Sequence, residues 1–559
     1  MKNNCRYIML GGLLFSMSVA AQEVATADTT VNRTVVVEQD YMPEVAEATK
    51  INVLPSIEQP SVEKSAVAYA YQSAPSTDIP AGKMAVINQD SPAKSIQSGF
   101  IRAGYGNRGN LDAAASFLFR LSARDRLSLG ILADGMDGKI RLNSDSKDKW
   151  DARYYQTQAN LAYSHAFHKV ELDLAGHFDM HQFNYMPNMY LDKQQRFLSG
   201  SVHVGVGSTN GMDAVRFNAE TNLLLYSRNL TLFPDKVNEY RVKTLGEVSG
   251  DISDVSSIAI GLEMNNLIYN QPEKKGLCAF ENRTLLDLNP AYEYNSNGTK
   301  IRVGANVDLS FGAGKAFRIS PDVEAQFSFA DSYVFFLNAT GGRRISDFRR
   351  LEHVNPYITD NTSLIDAYEL VNASLGFKAS PVNGLWFLLA GGYQYIQDDL
   401  YTGIREMESK RNETYSYYAA NTDASNFFAQ ARLSYAFKNY VDFSAGFEYR
   451  KWKENSDLGA LYLSQKPNYK LDVQLGINPF KPLRIKVGYN YLVRMEELKT
   501  PYGQEQKRMN NLYLSASYDV LRWLSVYTQM NNLLNDRYCE IPFIPAQGFN
   551  FVVGLRCQF

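Results

Sequence analysis

The sequence predicts an all-β protein, a transmembrane antiparallel β-barrel of about 22 strands behind an extended, proline-rich amino-terminal arm. Three observations carry this. From Ser98 to Phe559 apolar residues recur at every second position, the period of a strand with one greasy and one polar face. The runs are joined alternately by tight turns and by longer connections. Beyond the amino terminus no apolar run approaches the roughly 20 residues that a membrane helix needs.

Composition agrees. Aromatics make up 13% of the 559 residues, with 36 Tyr and 30 Phe but only 4 Trp, and Tyr and Phe suit pleated surfaces. Mean hydropathy is −0.31, which a transmembrane barrel tolerates because only alternate residues need be apolar. A net charge of −2 gives no field that would attract nucleic acid.

The elements follow in order. Residues 1–21 read as a secretory signal peptide, with Lys2 and Arg6 ahead of an apolar core from Ile8 to Met17 and small residues Val19, Ala20 and Ala21 before cleavage. Residues 22–97 form the arm, expected in the periplasm or threaded into a lumen. Pro43, Pro55, Pro60, Pro75 and Pro80 forbid long helices and central strands there. Residues 98–559 form the barrel. Its clearest strand is YKLDVQLGIN, with Tyr469, Leu471, Val473, Leu475 and Ile477 on one face and Lys470, Asp472, Gln474 and Asn478 on the other. Charges of both signs and recurring glycines such as Gly446 and Gly488 on the second face suit a hydrated lumen.

Tight turns fall near Arg124, Phe167, Ser208, Asn295, Ser380, Lys438, Phe480 and Val520. Long connections fall around Asp145, Tyr185, Tyr357, Tyr415, Asn455, Glu505 and Cys539, with a short one at Gly314. Tight turns on one rim and long loops on the other place the turns and both termini in the periplasm of a Gram-negative cell. The last run, Phe549, Phe551, Val553, Leu555, Cys557 and Phe559, is the closing strand, its apolar face toward lipid. Cys278, Cys539 and Cys557 have neither a disulfide nor a metal-ligand spacing. Free thiols are expected.

The final two strands carry a resemblance. The phrase MNNLLNDRY at Met530–Tyr538, then IPAQGFNFVVGLRCQF to the last residue, resembles the end of TonB-dependent outer-membrane receptors. The resemblance implies a barrel of the same size and a part in transport across that membrane. That family carries a globular plug of more than a hundred residues ahead of the barrel, whereas only the proline-rich arm stands there in this chain. A plug-less, porin-like variant is therefore expected. A weaker echo is Arg33-Thr34-Val35-Val36-Val37-Glu38: the resemblance implies that Thr34, Val35, Val36 and Val37 are captured by a periplasmic energy-transducing protein through strand addition. The same valines also fit an ordinary extended tail. Other partners expected are membrane lipid, an outer-membrane lipoprotein and the barrel-assembly machinery.

One cluster invites a chemical reading. On the strand VELDLAGHFDMHQF, Glu171, Asp173, His177, Asp179 and His181 share the lumen face. His177, Asp179 and His181 have the donors for a transition metal, and with Ser199 or Ser201 the same face could serve a hydrolase. A polar channel wall needs such residues anyway and is the preferred reading. No GxSxG, HExxH or phosphate loop occurs, so no catalytic residue and no cofactor is assigned. The aromatic and amide-rich stretches from Phe183, His353 and Glu408 fit either glycan or peptide binding or an ordinary aromatic girdle. The functional expectation is a non-enzymatic barrel that takes part in ligand uptake; the alternative is a structural or assembly subunit of a larger outer-membrane complex.

Overall fold

The computed structural model describes residues 98–559, apart from 143–148, 188–193, 210–214, 230–235, 271–279, 331, 359–364, 408–413, 455–458, 498–507 and 542–543. The signal peptide, the arm with Thr34–Val37, and Cys278 lie outside the described residues.

Twenty-two strands form one antiparallel sheet in which every strand pairs with its neighbour in sequence. The first, β1 (Gly99–Gly106), pairs with β2 (Leu111–Arg120) on one side. On the other it meets β22 (Asn550–Gln558), with Ala103 opposite Leu555 and Tyr105 opposite Val553. The sheet is thus a closed ring without an edge, the one way a sheet satisfies its backbone groups in hydrocarbon. The Ser98 N–H donates to the Phe559 carbonyl at 2.7 Å, fastening the start of the barrel to its end.

Alternation sorts the two faces. Outward lie Leu161, Leu174, Phe178, Val202, Leu223, Ile260, Leu375, Val553 and Leu555, all exposed on an isolated chain and suited to lipid. Phe329, Tyr333, Phe335 and Phe377 stack at centroid separations of 4.9 to 6.4 Å near the rim that carries the termini, an interfacial aromatic belt. On the same rim the turns are short. One is Asn297-Gly298, both at positive φ, the combination that a two-residue hairpin turn demands.

The expected long connection at Tyr415 is corrected. There β15 (Leu385–Met407) and β16 (Thr414–Phe437) run on as the two longest strands of the barrel, and Tyr415 sits inside β16. The polar, Tyr-rich composition read as a loop belongs to a strand pair that continues past the lipid, where neither face needs to be greasy. Among the described residues, two connections on that outer rim hold short α-helices: α1 (Phe348–Val354) between β13 (Tyr333–Arg344) and β14 (Ala367–Val382), and α2 (Gly459–Leu463) between β17 (Val441–Glu454) and β18 (Pro467–Phe480).

Candidate functional site

The lumen face is polar only for part of its height. At the outer ends of the strands it turns apolar: Phe183 at the end of β5 (Val170–Asn184), Tyr226 on β7 (Val215–Asn229), and Leu267 and Tyr269 on β9 (Ser256–Asn270) are all buried. They meet α1 and the residues after it, which fold down into the barrel mouth. Phe348 is fully buried, with its ring 4.9 Å from Phe280, 5.4 Å from Tyr269 and 5.8 Å from Tyr226. Leu351, one turn on, joins the same core, as do Tyr357 and Ile358. Trp150 on β4 (Lys149–Ala166), Leu400 on β15, Tyr417 on β16 and Ile544 from the last connection extend it around the ring. A satellite cluster of Ile396, Tyr401, Trp452 and Tyr462 packs α2 against β15 and β17.

The local sequence explains why this segment is a helix. Asp347 is its N-cap, accepting the Arg350 N–H at 2.8 Å, and Glu239 accepts the Phe348 N–H at 2.9 Å. Phe348 and Leu351, three apart, face the same way. Asn355 ends the helix in an extended conformation, and Ile358 then forms a parallel bridge with Tyr417 on the overhanging hairpin.

Charged contacts fix the segment to the wall on several sides. Asp347 pairs with Arg241 of β8 (Lys236–Ser253) at 2.8 Å. Glu352 binds both His181 and the Tyr226 hydroxyl. Arg350 reaches Asp399 at 3.5 Å, and Asp399 also holds Lys466 at 2.6 Å and the Tyr462 hydroxyl at 2.9 Å. Arg283 spans Asp366 at 2.9 Å and the Ser346 carbonyl at 3.0 Å. Arg228, fully buried, donates to the Ile358 carbonyl at 2.7 Å and lies over the Phe197 ring at 4.9 Å. Each partner of these pairs is costly to leave alone in a dry mouth. Partial desolvation against the mouth and the neighbouring Arg350 cation lower the His353 pKa from its ordinary value. Burial pushes the Cys539 thiol up to about 12, in a connection that Arg494 ties to β19 (Leu483–Arg494) through the Cys539 and Glu540 carbonyls at 2.8 and 3.1 Å.

The residues singled out from the sequence fall as follows. His177, Asp179 and His181 share the lumen face of β5, but they do not converge on one point. His177 turns to Asn160, while His181 has Glu352 on one nitrogen and Asp179 3.2 Å from the other. Among the described residues no three His, Cys, Asp or Glu side chains are placed to hold a metal ion. Ser199 and Ser201 occupy the next strand, opposite Asp179 and His177. Phe551, Val553 and Leu555 lie on the outer face of β22, Phe549 just precedes it, and Phe559 stacks on Phe117 at 6.1 Å. The sequence reading missed Asp347, Phe348, Leu351 and Glu352. Their signal was present as DFRRLE, a capping residue ahead of two apolar residues three apart.

Comparison with known proteins follows the fold. The chain is similar to a mutant ferric enterobactin receptor, PfeA, of Pseudomonas aeruginosa in complex with enterobactin, at 12% identity over 82% of this chain and 81% of that one (TM-score 0.62). FpvA of P. aeruginosa bound to heterologous pyoverdines matches at 11% identity over 82% and 71% (TM-score 0.61). The FrpB iron transporter of Neisseria meningitidis matches at 11% identity over 83% and 82% (TM-score 0.63). All three are TonB-dependent receptors, and at these identities the likeness is one of fold. No family model matches the sequence, and no curated protein does.

Proposed function

We propose that this chain is a gated outer-membrane transport barrel of the TonB-dependent receptor type that works without a globular plug. The observation that carries the reading is the inward-folded segment 345–358, clamped into the mouth by Arg241, His181, Arg283 and Arg228 on one side and by the β15–β16 hairpin on the other. It closes the end that faces the outside, the task a plug performs in a wide barrel. Opening then means releasing a small buried helix rather than unfolding a domain. Ferric chelates are the first ligands to try, because the similar structures include iron and siderophore receptors; no residue of this chain selects among them. On this reading Thr34, Val35, Val36 and Val37 are where a periplasmic energy-transducing protein draws on the chain by strand addition. The transport function of the similar structures also favours a non-catalytic role.

The test is conductance across a planar bilayer. The unmodified protein is expected to show small, rare steps, and a double variant Asp347→Ala/Glu352→Ala, which unlatches α1, large and frequent ones. Large steps from the unmodified protein would remove the gate. Silence from both, together with intact barrel structure, would favour the structural or assembly subunit.

A further inference from the structure

Below the packed mouth the lumen wall is divided by charge. From β16 to β22 its inward residues include Arg432, Arg450, Lys470, Arg484, Lys486 and Arg556, against Asp442, Glu448, Asp472 and Asp519. The facing wall, β5 to β9, has the opposite balance in the same zone. Glu171, Asp173, Glu220, Glu247, Asp251 and Glu263 stand there against Arg216 and Lys243. On the basic side lies a hollow of about 350 Å³ lined by Trp386, Arg432, Gly446, Lys470, Asp472 and Tyr513. A Cβ added at Gly446 would meet nothing within 4 Å, so the lumen is open at that point.

We propose that the basic wall along β16–β19 is the docking surface for segment 38–63 of this chain's own amino-terminal arm. Two arguments select this occupant. The first is connectivity. Ser98 is fastened to Phe559 on the rim of the short turns, so the arm joins the barrel at the lower mouth beside β22. Thirty-five residues of extended chain reach at most about 120 Å, well beyond the height of the barrel. The tether also keeps the segment at an effective concentration on the order of millimolar at the wall.

The second argument is chemical complementarity. Residues 22–97 carry Glu23, Asp28, Glu38, Asp40, Glu44, Glu47, Glu58, Glu63, Asp78 and Asp90 against Arg33, Lys50, Lys64, Lys83 and Lys94, a balance of −5. The whole of that excess falls within 38–63, where six carboxylates meet only Lys50. Such a segment is repelled by the β5–β9 wall and attracted to the other. Pro43, Pro55 and Pro60 favour an extended chain that matches an aromatic-lined groove, and Trp386 and Tyr513 supply the rings.

The test uses the full chain in detergent. Zero-length carbodiimide coupling, read by mass spectrometry, should join the carboxylates of 38–63 to Lys470 and Lys486 within one molecule, and 1 M salt should suppress those links. In a second arm of the experiment Gly446→Cys is alkylated in the full chain, with the parent as the background for native thiols. Replacing Glu38, Asp40, Glu44 and Glu47 by Gln should speed labelling about tenfold, the factor for a site occupied roughly nine-tenths of the time at that effective concentration. Links confined to rim lysines such as Lys169 and Lys438, or links only between molecules, would overturn the proposal. So would equal labelling rates with and without the arm's charges.

Discussion

At the scale of single residues, the outer mouth depends on a few carboxylates at the ends of α1. Asp347 caps the helix and neutralises Arg241, so Asp347→Ala removes both at once and leaves a half-buried cation without its carboxylate. A loss of about 3 kcal/mol in docking of the segment follows. Trypsin reads it directly, because Arg349 is exposed beside the buried face and cleavage there should accelerate on the order of a hundredfold, while the barrel stays intact. His353 adds a pH dependence whose sign is fixed. Its folded-state pKa lies below the unfolded value, so the docked segment binds fewer protons than the released one. The stability it contributes is complete above about pH 6.5 and is lost as pH falls below that value. Cleavage at Arg349 should therefore rise on acidification, and His353→Gln should flatten that part of the profile; an unchanged profile would contradict the assignment. None of these roles was legible from composition. The pattern DFRRLE marks a helix start, but that it descends into a barrel follows only from where Arg241, His181 and Tyr226 stand on strands far away in sequence.

Among the elements, the strands were the most legible because lipid imposes a period of two along the outward face. Leu471, Val473 and Leu475 announce it, and so do Val553 and Leu555 in the closing strand. The failure came where that pressure ends. Past the lipid β15 and β16 continue with both faces polar or aromatic, and the alternation that identified other strands vanishes. The inward face hides a second change. Phe183 follows His181 by two positions on one strand, and Leu267 follows Asn265, so a single face passes from polar wall to apolar core partway up. A period-two reading sees the alternation and not the change of environment. The hairpin has an energetic role that can be checked. Tyr417 is fully buried against Ile358, and Tyr417→Ala should cost about 3–5 kcal/mol. That loss should fall on the mouth alone: faster cleavage at Arg349, with an unchanged heat-dependent shift of the barrel on gels. A collapse of the barrel itself would show that mouth and ring are one cooperative unit.

For the molecule as a whole, two solvents set the design. Lipid outside demands a closed ring, and the pairing of β1 with β22 provides it. Water inside demands a polar wall, and a ring this wide must then be stoppered to remain a barrier. On the proposed reading the stopper is the packed mouth, built from a buried helix, an overhanging hairpin and the last connection. The direct measurement of this is sided access to the lumen in whole cells. Asp173→Cys puts a thiol on the inward face of β5, below the mouth. A polymer-tagged maleimide too large for the cell's porins should leave it unlabelled from outside when segment 345–358 is intact. It should label it readily when that segment is replaced by a short Gly/Ser linker, and label both forms once the outer membrane is permeabilised. Rapid labelling of the intact protein from outside would contradict the account.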